Sequence, residues 1–173
     1  MKFLRYFLIL PFFLCGSATY AADFDTDFEN GLAQWSIERP PGYAQGSIDV
    51  QDVNVKEGKQ ALRLAATEKN SIARITSAHI PLTENRNIAF QGWYRFAGEE
   101  SAMEIRFRSI DANGTIMEPW QDYFQFHRLE PAKDWTHFSI PLSIHAAAQS
   151  IDITITYSGG AGKPISIISK FSR

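Results

Sequence analysis

Nine side chains in the second half of the chain pair flat aromatic surfaces with forked hydrogen-bonding groups. They are Gln91, Trp93 and Arg95, then Arg106 and Arg108, then Trp120, Tyr123, Gln125 and His127. Their spacing of two matters because side chains at i and i+2 of an extended strand share one face. Along residues 88–96 one parity carries Ile88, Phe90, Gly92, Tyr94 and Phe96 and reads as core, while Gln91, Trp93 and Arg95 point the other way. With Ile105 and Phe107 facing inward, Arg106 and Arg108 point outward. Along residues 122–128 Tyr123, Gln125 and His127 alternate with Phe124 and Phe126. All are expected on one outer sheet face, with Trp120 as a side wall on the preceding loop. Aromatic faces pack on the C–H side of a sugar ring, and planar polar groups pair with its hydroxyls, so the set suits a saccharide. Three arginines add bidentate pairing to carboxylate or sulfate, which points to an acidic sugar. The competing reading is a solvated sheet face, with Trp93 packed beneath a crossing loop.

Other chemistries find less support. Glycoside hydrolysis needs two carboxyl groups a fixed distance apart. The acids here mostly occupy turns (Glu99, Glu100, Asp111, Asp134), although Glu104 and Glu118 lie near the expected face. There is no Gly-x-Ser-x-Gly and no phosphate-cradling glycine loop. His79, His127, His137 and His145 are too widely spread for a zinc site. Tyr123, His127 and Arg106 could together imitate the Tyr/His/Arg set of a lyase on a β-rich fold, which is the sharpest enzymatic rival. A protein-interaction or adhesive domain of the cell envelope is the other alternative, because fold alone does not choose among such roles.

The elements that must position these residues are strands. Residues 47–53, 61–65, 72–77, 88–96, 103–108, 122–128, 136–142 and 151–157 carry the apolar or period-two pattern of strands with one buried face. Pro40-Pro41-Gly42, Glu57-Gly58-Lys59, Asp111-Ala112-Asn113-Gly114 and Ser158-Gly159-Gly160 read as turns, and Asn113-Gly114 is a hairpin signal. Only residues 144–149 hint at a helix. Many short strands without helices predict an all-β, antiparallel two-sheet sandwich. Trp35 and Trp135 read as core residues at its rims.

Residues 1–22 have the layout of a secretory signal peptide. Lys2 and Arg5 precede an apolar run from Phe7 to Leu14, and small residues lead to cleavage after Ala21 or Ala22. The run is shorter than a membrane span, and no span is expected after its removal. Leu14 before Cys15 does not suit a lipid-attachment box. Residues 23–173 then form a single domain, secreted or periplasmic, with its only cysteine lost to the leader. Without Lys2 and Arg5 the balance is 15 basic against 19 acidic side chains, which argues against nucleic acid as a partner.

Several islands occur in a telling order: Phe28-Glu29-Asn30-Gly31-Leu32-Ala33-Gln34-Trp35, Val55 to Leu64 with Glu57-Gly58-Lys59, Phe90-Gln91-Gly92-Trp93-Tyr94-Arg95-Phe96, Ile105-Arg106-Phe107, and Asp134-Trp135-Thr136-His137-Phe138-Ser139-Ile140-Pro141. Over roughly residues 24–160 the chain resembles the carbohydrate-binding modules of the CenC type, which are galactose-binding-like jelly rolls. The resemblance implies a non-catalytic module that holds a poly- or oligosaccharide, and relatives are often linked to a glycoside-active enzyme. It also implies a structural calcium ion, with Glu29 and the Gly58 carbonyl at matching positions. The closing-strand Asp of such sites has no counterpart, since no acidic residue follows Asp152. The last strand is therefore expected to be divergent or truncated.

Overall fold

A computed structural model describes residues 28–82, 88–96, 101–117, 124–142, 144–159 and 164–172, the side chains of 124–125 and 164–172 excepted. Twelve strands follow in order: β1 (Trp35–Glu38), β2 (Ala44–Gln45), β3 (Ser47–Gln51), β4 (Ala61–Ala65), β5 (Ser71–Ser77), β6 (Ile80–Pro81), β7 (Ile88–Phe96), β8 (Ala102–Ile110), β9 (Phe124–Leu129), β10 (Ala132–Leu142), β11 (Ser150–Ser158) and β12 (Pro164–Ser172). A seven-stranded sheet runs β1-β5-β11-β8-β9, with β2 also on β5 and β6 also on β11. A five-stranded sheet runs β10-β7-β12-β4-β3. Every pairing is antiparallel except the short β2–β5 contact. This is the antiparallel two-sheet sandwich that the alternation predicts.

The core fills the space between the two sheets. Along β7 buried and half-buried residues alternate at every step, so Ile88, Phe90, Tyr94 and Phe96 point inward. Phe90 meets Phe107 across the sandwich at 5.6 Å and Phe138 on its own sheet at 5.5 Å. Trp35 does belong to this core: it is 8% exposed and its ring lies 5.2 Å from that of the fully buried Phe28. Tyr157, also fully buried, satisfies its hydroxyl by donating to Ser101 Oγ at 3.1 Å, which offsets the cost of taking a phenol out of water.

Two expectations change. Residues 144–149 form a turn, in which Ala148 N–H donates to His145 O at 3.0 Å, and no helix occurs among the described residues. The closing strand, expected to be divergent or truncated, is formed as β12 and sits between β7 and β4 in the five-stranded sheet. The Asn113-Gly114 hairpin is present: Gly114 takes φ +78°, and Asp111 Oδ1 accepts from the amides of Asn113 at 2.8 Å and Thr115 at 2.9 Å. Those bonds hold the Asp111 carboxyl below its ordinary pKa.

At one edge of the fold, Glu29 is drawn onto the turn before β4. Its Oε1 accepts from Lys59 N–H at 2.6 Å and Gln60 N–H at 3.2 Å. Gly58 is required here twice over. Its φ is +72°, and the space a Cβ would fill is occupied by the Glu29 carboxylate. Gly58→Ala should therefore cost about 2–3 kcal/mol, from the left-handed backbone and the displaced acceptor. Because both changes break the same contact, the cost of Glu29→Ala should not add to it in the double variant. Urea unfolding of the four proteins measures this, and fully additive losses would contradict the account.

Candidate functional site

The sandwich has two outer faces, and the nine residues singled out above do not share one. Gln91, Trp93 and Arg95 lie on β7, outside the five-stranded sheet. Arg106 and Arg108 lie on β8, outside the seven-stranded sheet. The expectation of a single saccharide face is corrected here: the core separates the two groups. Trp120 and Tyr123 lie outside the described residues.

The expected parity of β9 is also corrected. His127 pairs with Ile105 and Gln125 with Phe107, both inward-facing positions, whereas Phe126 pairs with the outward Arg106. His127 tucks against the Phe107 ring at 6.1 Å, and partial burial pushes its imidazole below the ordinary pKa. Phe126 is 45% exposed with the Arg106 guanidinium 5.5 Å over its ring. An edge strand lets this happen, because its inward positions reach the rim of the core rather than its centre. Arg106 and His127 thus project to opposite sides of the sheet, which removes the lyase-like arrangement.

On the seven-stranded sheet the register builds an ordered polar face. One rank runs Glu38, Arg74, Thr156, Glu104, Arg128 across β1, β5, β11, β8 and β9. The next runs Ser36, Thr76, Thr154, Arg106, Phe126, and a third pairs Asp152 with Arg108. Although these positions face away from the core, Thr76, Thr154, Thr156 and Asp152 are only 7%, 7%, 3% and 2% exposed. Longer neighbours stand over them. Thr76 donates to Glu38 Oε1 at 2.6 Å and shares a hydrogen bond with Thr154 at 3.0 Å. Arg74 Nε donates to Thr156 Oγ1 at 3.0 Å while its Nη1 lies 3.9 Å from Glu38. Arg106 meets Glu104 at 3.4 Å. Arg108 grips Asp152 with two bonds of 2.8 and 2.6 Å, and that pairing raises the pKa of the guanidinium. Donors and acceptors therefore alternate over a floor of threonines, beside one exposed aromatic ring.

The five-stranded sheet is organised differently. Trp93 donates its indole N–H to Glu57 Oε1 at 2.9 Å, Lys56 Nζ lies 4.9 Å over its ring, and His137 meets it edge-on at 5.1 Å. The crossing-loop reading of Trp93 holds. Trp135 is not the rim of the core that the sequence suggests. Residues 133–135 oppose Arg95 alone at a register shift in β10, and the Arg95 guanidinium lies 4.9 Å over the Trp135 ring. Trp135 and Phe126 are the two aromatic surfaces that alternation missed, one through a bulge and one through an edge.

Of the positions that the resemblance matches to a calcium site, Glu29 lies against Gly58, and its Oε1 accepts the amide hydrogens of Lys59 and Gln60. Among the described residues no three acidic, histidine or cysteine side chains gather at one point. Two shallow pockets, of about 260 Å³ beside Asn30–Gln34 and about 240 Å³ beside Tyr43, Lys69 and Ser158, lie off both sheet faces.

No family model matches the chain, and no curated protein does. Solved structures do. A family 61 carbohydrate-binding module in complex with β-1,4-galactotriose aligns over 86% of this chain and 94% of its own, at 15% identity and a TM-score of 0.61. A family 16 carbohydrate-binding module aligns over 86% and 97%, at 15% identity and a TM-score of 0.56. The enzymatically active domain of tailspike protein 4 from bacteriophage CBA120 aligns over 87% of this chain, at 13% identity and a TM-score of 0.66, and this chain spans only 21% of that one. Likeness at these identities establishes the fold: a β-sandwich of the kind found in carbohydrate-binding modules.

Two measurements check the site. Asp152→Ala should strand Arg108 in a largely closed setting and cost about 3–5 kcal/mol in urea unfolding. A loss below 1 kcal/mol would show that the pair is solvated after all. Millimolar calcium should leave the melting temperature unchanged, and a rise of several degrees that chelator reverses would restore the ion.

Proposed function

We propose that this protein is a non-catalytic carbohydrate-binding module, secreted or periplasmic, that holds a poly- or oligosaccharide on the outer face of its seven-stranded sheet. The observation that carries this reading is the hydrogen-bonded face of Glu38, Arg74, Thr76, Thr154, Glu104 and Arg106 beside the exposed ring of Phe126. A sugar hydroxyl is both donor and acceptor, so a surface presenting both, pre-ordered by internal bonds, can take adjacent hydroxyls without reorganising. Phe126 offers the apolar surface that a pyranose ring needs on one side.

The charge pairing on this face favours an uncharged sugar over the acidic one expected from the arginine count. Arg74, Arg106 and Arg108 each have a carboxylate partner, Glu38, Glu104 and Asp152 respectively. An anionic ligand would have to compete with those carboxylates. The same pairing argues against catalysis, since a general acid or base must be free to reach the reacting oxygen. Asp152 is nearly closed to solvent and bound twice by Arg108, and Glu38 receives Thr76. The fold neighbours described as carbohydrate-binding modules support the reading, as does the complex of one of them with a neutral galactotriose.

A glycan array followed by titration tests it. The wild type should bind a restricted set of neutral oligosaccharides, and Phe126→Ala and Arg106→Ala should each weaken binding about tenfold, the loss expected for one stacked ring or one charged hydrogen bond. Phe126 lies on the edge strand β9 and Arg106 projects outward from β8, so both substitutions should leave the fold intact. Silence across the array, or binding that both variants retain in full, would turn the assignment towards a protein-interaction domain.

A further inference from the structure

On the seven-stranded sheet Arg74, Arg106 and Arg108 are paired with carboxylates, and on the opposite face so is Arg63, but two cations of that face are not. Arg95 has no carboxylate partner among the described residues, and neither does Lys56. Each instead rests on an indole: Lys56 over Trp93 and Arg95 over Trp135, both at 4.9 Å. Glu99 and Glu100, the carboxylates nearest Arg95 in sequence, lie outside the described residues, and two described carboxylates have partners of their own. Glu57 accepts from the Trp93 N–H at 2.9 Å, and Asp49 is held by Arg63 at 3.0 Å. Asp134 lies exposed in the β10 bulge.

We infer that the outer face of the five-stranded sheet carries a second ligand surface, an anion-binding strip for a sulfated or carboxylated polysaccharide. Two features fit that ligand. A guanidinium laid flat on an indole keeps its in-plane N–H edge directed outward, and that edge matches the two oxygens of a sulfate or carboxylate. Trp93 and Arg95 stand two residues apart on β7, so Lys56, resting on Trp93, and Arg95 reach the same stretch of one strand, where more than one charge of a ligand can be met. The polymer is a glycan rather than nucleic acid because the whole chain carries a net charge of −2.

This surface is separate from the one in the proposed function, and the two are tested separately. Dextran sulfate and uncharged dextran are titrated into the protein at low salt, for the wild type, Arg95→Gln, Arg95→Lys and Lys56→Gln. Dextran sulfate should bind and dextran should not. Arg95→Gln and Lys56→Gln should each weaken dextran sulfate binding about tenfold, and Arg95→Lys by less, because it keeps the charge and loses the fork. Binding of neutral oligosaccharides, measured on the same variants, should be unchanged. If Arg95→Gln fails to fold, Arg95→Lys still reads the position. Failure of folded wild type to bind dextran sulfate would overturn the inference, as would equal binding by every variant. Equal affinity for a single-stranded oligonucleotide with the same Arg95 dependence would overturn it too, by showing a general phosphate-binding strip. A protein that loses dextran sulfate binding yet keeps neutral glycans, or the converse, separates the fate of this strip from that of the other face.

Discussion

The outer surface of the seven-stranded sheet depends on one contact, the double hydrogen bond from Arg108 to Asp152. Asp152 is 2% exposed on a strand face that points away from the core. At that point β11 is thinly supported. Its pairing with β5 begins only at Thr154, and β6 reaches only Ser150 and Ile151. Ser77 Oγ fills part of the gap by accepting from Ile153 N–H at 2.9 Å, and Arg108 closes the other side from β8. A buried ion pair seldom adds much net stability, but losing Arg108 would leave the Asp152 carboxylate buried without its partner. What the pair supplies is a fixed arrangement: it sets the end of the threonine floor and neutralises the strongest anion on the face. With Arg108 committed to Asp152, Arg74 to Glu38 and Arg106 to Glu104, three of the arginines of the face are already matched by carboxylates.

The fold was legible because alternation reports burial directly. Residues 61–65 and 88–96 are strands with the bounds the sequence suggests, and the inward residues are the apolar ones. The site was less legible for a geometric reason. Period-two alternation separates inside from outside, but a sandwich has two outsides, and nothing in a strand's own sequence says which sheet it joins. Gln91, Trp93 and Arg95 read as neighbours of Arg106 and Arg108 on that basis, and the strand order puts the core between them. The reversed parity of β9 has a related cause. Phe126 looks like a core residue by type, yet at an edge it serves as a platform for Arg106, while the more polar His127 faces the rim of the core. β12 escaped notice because a central strand has no solvated edge and needs no clean alternation, so Ile165, Ile167 and Ile168 carried no readable period.

Trp93 shows why a tryptophan outside a sheet is ambiguous from sequence. Its position faces outward as expected, but the segment between β3 and β4 reaches across to it, and Glu57 and Lys56 cover its N–H and ring. An indole used this way is a mounting surface for a cation rather than a bare platform for a sugar ring. The same is true of Trp135 beneath Arg95. Aromatic content therefore marks both faces of the sandwich: on one sheet Phe126 is 45% exposed beside Arg106, and on the other two indoles carry positive charges.

The Glu29 carboxylate connects these observations. In the arrangement the resemblance implies, an acid at this position would help gather oxygen atoms around a cation. Here it accepts from the amides of Lys59 and Gln60 and lies where only a glycine at position 58 leaves room. The turn is thereby held by a carboxylate and two backbone donors. Its consequence extends beyond the turn. Lys56 and Glu57 immediately precede the anchored residues, so fixing Gly58 to Gln60 also fixes where the lysine and glutamate land on Trp93. A carboxylate at the start of the fold thus positions a cation on the outer face of the five-stranded sheet, and the charge that distinguishes that face from its opposite is set by the same turn.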